Sequence, residues 1–263
     1  MMQTHWSFDA PHYQSITEAR LSFIAGFLPK LSHTLSCSSA LDVGCGLGEF
    51  SSFLAQTGLP TLGIDGREEN VLEARRRYPQ LRFATYDMEL GNVRELGSFD
   101  LTFCFGLLYH LESPIAAIRN LYALTRKAVV IESMIHPGRG LSMGLVEEPP
   151  AHDQGIRSMA TVLSEPALIK SLYRAGFLHV YMSDRLPLHQ DFRETRLYRR
   201  RRTCLIATQQ PVTLPGWQLA PEPKETNAWL KVGAARMAWL QHLAQRGVGR
   251  LIAAARPTRA LKP

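Results

Sequence analysis

The segment Ala40-Leu41-Asp42-Val43-Gly44-Cys45-Gly46-Leu47-Gly48-Glu49-Phe50 constrains the fold more than any other part of the chain. It reads as a short apolar strand that breaks into a glycine loop and opens a helix. Gly44, Gly46 and Gly48 remove the Cβ atoms that would hold a ligand away from the backbone. Asp42 stands two residues before the first glycine. A second acid, Asp65, ends the apolar run Leu62-Gly63-Ile64 about 20 residues on, where a doubly wound sheet places a carboxylate against ribose hydroxyls. The spacing narrows the choice of nucleotide. A dinucleotide fingerprint needs a third small residue at position 49, and Glu49 is there instead. A carboxylate at that helix start would repel a pyrophosphate. The pattern suits an adenosine joined to a cationic amino acid, with Asp42 near its ammonium group.

Hydrophobic periodicity predicts strands over 39–43, 60–64, 81–85, 100–105, 128–132, 178–183 and 203–208. Helices are predicted over 48–57, 68–77, 114–124 and 165–175. Strands alternating with helices imply a parallel sheet with right-handed crossovers. The last two strands are joined without a helix signal and should pair antiparallel. Three parts follow: an N-terminal helical cap over 1–37, a ligand-binding α/β domain over 38–209, and a Pro-rich linker with a basic amphipathic helix over 210–263. In the cap, Ser15 with Glu18 three residues later reads as a capping box. Leu21, Ile24, Leu28 and Leu31 then recur at helical spacing. The region 137–164 is rich in Gly and Pro and long for a connection, which marks it as a lid or substrate loop. Pro211, Pro215, Pro221 and Pro223 read as an extended linker before a helix over 225–245.

Five segments in order resemble class I S-adenosylmethionine-dependent methyltransferases, together with a short likeness, over 105–132, to their tRNA wobble-uridine carboxymethyltransferase-like branch. The glycine loop is similar to motif I. Gly63-Ile64-Asp65 resembles the second-strand acid that holds the ribose, and Tyr86-Asp87-Met88 the third-strand acid that reaches the adenine amine. Phe99–Gly106 resembles the fourth strand beside the transferable methyl group, and Ala128–Glu132 the fifth. The resemblance covers 38–209. It implies a Rossmann-like, doubly wound, seven-stranded α/β sheet with one antiparallel strand. It implies S-adenosylmethionine as cofactor, with Asp42, Gly44, Cys45, Gly46, Asp65, Gly66, Asp87, Met88, Phe105 and Gly106 as its binding residues.

Methyl transfer is an in-line displacement, so alignment and exclusion of water carry most of the catalysis. A base is needed only where the nucleophile must lose a proton. His110, in Phe105-Gly106-Leu107-Leu108-Tyr109-His110-Leu111, is the candidate base, since its ordinary pKa lies near neutrality. Tyr109 is a candidate for orienting substrate. Glu132 and His136 follow the fifth strand as further catalytic candidates, and Glu147, Glu148, His152, Asp153 and Gln154 line the expected lid. His12 and Tyr13 of the leader are candidate ligand contacts, and His189 and Asp191 either face the site or tie down their turn. No metal is expected, because acids and histidines do not repeat at ligand spacing.

The 263 residues suffice for one large domain, and 45% hydrophobic content supplies its core. No apolar run reaches the roughly 18–20 residues of a membrane span, and the first residues lack a secretory pattern. Cys37, Cys45, Cys104 and Cys204 show no metal spacing and read as free thiols in a reducing cytoplasm. A net charge of +7 is concentrated in Arg75–Arg77, Arg199–Arg202 and the tail beyond Lys224. These groups read first as solvated surface, and second as contacts for an anionic partner. The favoured function is methyl transfer to a small-molecule or glycan acceptor, most readily at oxygen. The alternative is an RNA-modifying enzyme, with nucleic acid not favoured as partner. Two Trp residues in the tail helix would suit peripheral membrane contact. A monomer or a homodimer is expected.

Overall fold

The computed structural model describes residues 6–138, 140–192 and 202–224. The chain divides after Pro223. The tail helix expected over 225–245, with its membrane and basic-surface readings, lies outside the described residues.

The strands are β1 (Ala40–Val43), β2 (Thr61–Asp65), β3 (Arg82–Thr85), β4 (Phe99–Phe105), β5 (Thr125–Met134), β6 (Met143–Glu147), β7 (Met159–Leu163), β8 (His179–Ser183), β9 (Arg202–Thr208) and β10 (Trp217–Leu219). The helices are α1 (Pro11–Ala25), α2 (Leu28–Thr34), α3 (Glu49–Gln56), α4 (Glu68–Arg77), α5 (Pro114–Leu124) and α6 (Glu165–Ala175). One sheet runs β10-β8-β9-β5-β4-β1-β2-β3. Strands β3, β2, β1, β4 and β5 are mutually parallel, and β9 lies antiparallel to both β5 and β8. The strand order reverses between β1 and β4, and the crevice above that point is where such sheets bind ligands.

Period-two alternation explains the two-sided core. Along β4, Leu101 and Phe103 join Ile24, Leu28 and Leu31 of the N-terminal helices on one face. Cys104 meets Ile118, Leu121 and Leu172 of α5 and α6 on the other. Helix α6 follows its expected chemistry: Ser164 caps it by accepting from the Ala167 amide at 3.3 Å, and Gly176 closes it at φ +123°.

Three expectations are corrected. Helix α1 begins at Pro11 with Ala10 as N-cap, not at Ser15. Proline at the first turn presets φ and needs no N–H partner there, while the Ser15 hydroxyl donates back to the His12 carbonyl at 2.9 Å. Among the described residues the sheet has eight strands, not seven. The Pro-rich stretch after 210 is no free linker, because Trp217–Leu219 pairs antiparallel with β8 and Val212, Leu214 and Ala220 are buried. The lid region contains a hairpin, with Met143 opposite Leu163 and Glu147 opposite Met159. It is fastened to the end of β4 where the Thr161 amide donates to the Leu111 carbonyl at 2.8 Å.

Candidate active site

A cleft opens over the carboxyl ends of β1, β2 and β4. It is lined by Gly44, Cys45 and Gly46 of the loop, Asp65 and Gly66 after β2, and Asp87 and Met88 after β3. Phe105, Gly106, Tyr109 and His110 line it after β4, as do Phe8, Tyr13, Thr17 and Arg20 from the cap, and His152 to Ile156 from the lid.

Local backbone explains the floor. Gly44, Gly46 and Gly48 take φ of +74°, +53° and +97°, a region that side chains penalise. The loop is pinned from across the sheet, because the Gly46 amide donates to Asp65 Oδ2 at 3.0 Å. Asp65 Oδ1 accepts from the Arg67 amide at 2.9 Å and from Asn70 Nδ2 at 3.2 Å. A carboxylate oxygen accepts about two bonds, so Oδ2 keeps one position for a hydroxyl in the cleft. Burial pushes the Asp65 carboxyl up, against the bonds that stabilise its charge. Asn70 lines the cleft, and its buried Oδ1 has no partner. Unspent polar atoms beside a glycine cradle fit an adenosine, and Glu49 at the start of α3 lines the cleft where a phosphate would be repelled.

Asp42 lies behind the loop instead of in the cleft lining. It is 1% exposed and its Oδ2 accepts from the Ser51 hydroxyl at 2.6 Å. Burial pushes its carboxyl up to about 7, with the Ser51 bond opposing. A folded-state pKa raised above the unfolded value stabilises the fold at low pH, and that stability is lost as pH rises from about 4 to 7. Asp42→Asn is expected to abolish this slope. Thermal unfolding of both proteins across that pH range checks it, and parallel wild-type and variant profiles would overturn it.

Asp87 is held by the lid. Its Oδ1 accepts from the Glu89 amide at 2.8 Å, and its Oδ2 accepts from Arg157, which also bonds Glu89 at 2.9 Å. Burial alone would raise the Asp87 carboxyl, but Arg157 and the amides bring it below its ordinary value. The lid is fastened at the α4 end too. Arg67 donates to the Gln154 and Gly155 carbonyls at 3.2 and 2.9 Å, and Asn70 to the His152 carbonyl at 3.1 Å. The leader closes the remaining side. Tyr13 donates to Asp153 at 2.6 Å, Phe8 packs on Gly46, and Arg77 of α4 holds Asp9 at 2.7 Å.

His110 and Glu148 form a pair at 2.6 Å between Nδ1 and Oε1. Glu148 Oε2 also accepts from the Gly155 amide at 2.7 Å. Burial would raise the Glu148 carboxyl, yet the His110 and amide bonds hold it below the usual range. The carboxylate at Nδ1 orients the ring and leaves Nε2 as the second ring position.

Beneath Tyr109, the fully buried Glu132 holds two arginines. Arg20 Nη2 donates to its Oε2 at 2.6 Å and Arg202 Nη1 to its Oε1 at 2.9 Å. Arg202 also reaches the Tyr109 hydroxyl at 3.2 Å and lies 5.0 Å from the Tyr109 ring centre. The β5–β9 register accounts for this: Cys204 stands opposite Glu132, and Arg202, two residues earlier on the same face, reaches it diagonally. Burial would raise Glu132, but the guanidinium groups outweigh it and hold the carboxyl down. Arg202 is therefore buried, not part of a solvated basic loop.

Other candidates stand apart from the cleft lining. The His136 ring accepts from the Gly138 amide at 3.1 Å at the base of the hairpin. His189 ties down its turn, accepting from the Asp191 amide at 3.2 Å and meeting Ser15 at 3.1 Å. His12 is 3.4 Å from Asp191 on the same outer edge. Among the described residues, no cluster of three or more His, Cys, Asp or Glu could hold a metal ion, and no helix is long and apolar enough to cross a membrane. Cys37, Cys45 and Cys104 are free thiols. Arg20, Arg202, Arg157 and the pairing of Glu148 with His110 escaped sequence reasoning. The buried i, i+4, i+8 stripe Ile16, Arg20, Ile24 on α1 is the one local signal that marked Arg20.

Comparison with known proteins agrees with this geometry. Residues 41–131 match the family model described as Methyltransferase domain. A ubiquinone biosynthesis O-methyltransferase of Xanthomonas campestris pv. campestris (strain B100) is 28% identical over 56% of this chain and 57% of its own length. A tRNA U34 carboxymethyltransferase of Idiomarina loihiensis is 30% identical over 57% of this chain and 48% of its own. The chain thus spans about half the length of these curated relatives. Among solved structures, the N-terminal domain of EvdMO1, determined in the presence of SAH and D-fucose, superposes with a TM-score of 0.60 at 23% identity, covering 76% of this chain and 85% of that one. Magnesium protoporphyrin IX methyltransferase from Synechocystis PCC 6803 with bound SAM gives 0.51 at 21% identity, covering 79% and 86%. Residues 41–131 carry a methyltransferase domain, and the fold is shared with structures determined with SAM or SAH.

Proposed function

We propose that the protein methylates an oxygen of a small hydroxylated acceptor, a metabolite or a glycan, with His110 as general base. The observation that carries this reading is His110, which lines the same cleft as the glycine loop and Asp65 and is held from behind by Glu148. Bound S-adenosylmethionine supplies a methyl group already activated by its sulfonium. The residues do the rest. Gly44 and Gly46 admit the ligand to the backbone, Asp65 Oδ2 takes a ribose hydroxyl, and Asn70 Oδ1 offers a further polar contact. Tyr109 orients the acceptor. His110 takes the hydroxyl proton as the oxygen attacks, and Glu148 stabilises the charge gained by the ring. The lid and leader exclude water, which strengthens these interactions.

Two observations favour a small acceptor over RNA. The cleft is roofed by the leader and lid, and two of the basic residues on α4 are spent internally: Arg75 on the Phe83 carbonyl at 2.7 Å and Arg77 on Asp9. An RNA substrate would show itself as binding to total RNA that falls steeply with salt. The free thiols fit the reducing cytoplasm expected from the sequence.

Asp65→Ala is expected to weaken S-adenosylmethionine binding by about 100-fold or more, since it removes an acceptor for the ligand and the anchor of Gly46 together. Calorimetric titration checks it, and wild-type affinity in the variant would remove the cofactor-site assignment.

A further inference from the structure

Arg20 is not fully spent by the protein. Its Nη2 bonds Glu132, while its Nε is buried without any partner. Arg20 nonetheless lines the cleft. The niche it faces exists because Gly106 lacks a side chain. A Cβ there would lie 3.5 and 3.6 Å from Arg20 Nη2 and Nη1, and 3.5 Å from the Tyr109 hydroxyl. Gly106 adopts φ +75°, so the opening is built into the turn that ends β4.

Charge makes the same point. Among the described residues, two buried guanidinium groups, Arg20 and Arg202, share the single carboxylate of Glu132, leaving one positive charge uncompensated within the cluster. Tyr109 adds a neutral hydroxyl. On the opposite wall, Asp153 is occupied by Tyr13. Buried positive charge of this kind is costly unless a ligand completes it.

We propose that the acceptor carries a carboxylate, and that Arg20, with the Tyr109 hydroxyl, holds it in the niche over Gly106. The inference rests on the acceptor reading above and names its chemical class. A guanidinium fork matches a carboxylate better than it matches a neutral oxygen. The Tyr109 and His110 rings stand 4.2 Å apart, so the anion hold and the base are neighbours. The reacting hydroxyl therefore lies close to the carboxylate, as in a hydroxy acid or a hydroxybenzoate. Glu132 and Arg202 are positioning residues that fix Arg20 and Tyr109.

The test uses the full chain saturated with S-adenosylhomocysteine, with 3,4-dihydroxybenzoate and its methyl ester as probes. Calorimetry on the wild-type protein is expected to show the acid binding at least about tenfold more tightly than the ester. Arg20→Lys, which keeps the charge and loses the fork, is expected to erase most of that preference while leaving S-adenosylhomocysteine affinity within about twofold of wild type. Equal affinity for acid and ester in the wild-type protein would overturn the proposal, as would an unchanged preference in Arg20→Lys. The wild-type comparison stands even if the variant does not fold. Methyl transfer is then measured on the same probes. Arg20-dependent binding of the acid without methylation of any hydroxyl would leave the anion hold intact and count against oxygen methylation.

Discussion

His110→Ala is expected to lower kcat for oxygen methylation by about 100- to 10,000-fold, the range over which a positioned general base acts. Substrate and cofactor binding should change little, because the proposed role of His110 is in the proton transfer and not in the cradle formed by Gly44, Gly46 and Asp65. A steady-state comparison separates the two: kcat collapses while KM for S-adenosylmethionine stays within a fewfold of wild type. Glu148→Gln should show the same pattern more weakly, since an amide keeps a partner for Nδ1 but cannot stabilise a charged ring. An alanine variant that kept wild-type kcat would refute the base role. The reaction would then be driven by alignment alone, as suits a nucleophile that carries no proton to lose.

Glu132→Ala is expected to destabilise the domain by about 3–5 kcal/mol, because removing one partner of a buried ionic cluster strands the others. Both Arg20 and Arg202 are nine-tenths or more buried, and neither has another carboxylate within reach among the described residues. The melting temperature should fall by about 10 °C for a unit of this size. Acceptor binding should fall with it, since Tyr109 and Arg20 lose their support. Thermal unfolding checks the first effect. A shift under about 2 °C would mean that water or a side-chain rearrangement neutralises the arginines. Replacing all three charged groups by apolar residues of similar size should restore stability without restoring acceptor binding, which separates the cluster's structural role from its recognition role.

The elements legible in the sequence were those fixed by local chemistry. The glycine loop, the acids at the end of β2 and after β3, and helices such as Glu68–Arg77 and Pro114–Leu124 appear where periodicity places them. The start of α1 was misplaced because Ser15 imitates a cap while Pro11 supplies one. Strands β6, β7 and β10 escape sequence reasoning because they lie in Gly- and Pro-rich stretches that read as a lid loop and a linker. The eighth strand exists because β8 offered an open edge with hydrogen-bonding groups to fill.

The acceptor side of the cleft followed another rule. Its parts come from distant segments: Arg20 and Glu132 are separated by 112 positions, Arg202 and Glu132 by 70, and His110 and Glu148 by 38. No window of sequence contains such a pair, and charge patterning along the chain placed Arg202 in solvent. What the sequence alone determined is the half of the cleft proposed for the cofactor, because a glycine loop and strand-end acids are short-range devices carried by backbone conformation. What only the tertiary structure decided is the half proposed for the acceptor. There the sheet register and the closure of cap and lid bring buried charges together, and burial, not sequence neighbourhood, sets what those charges can hold.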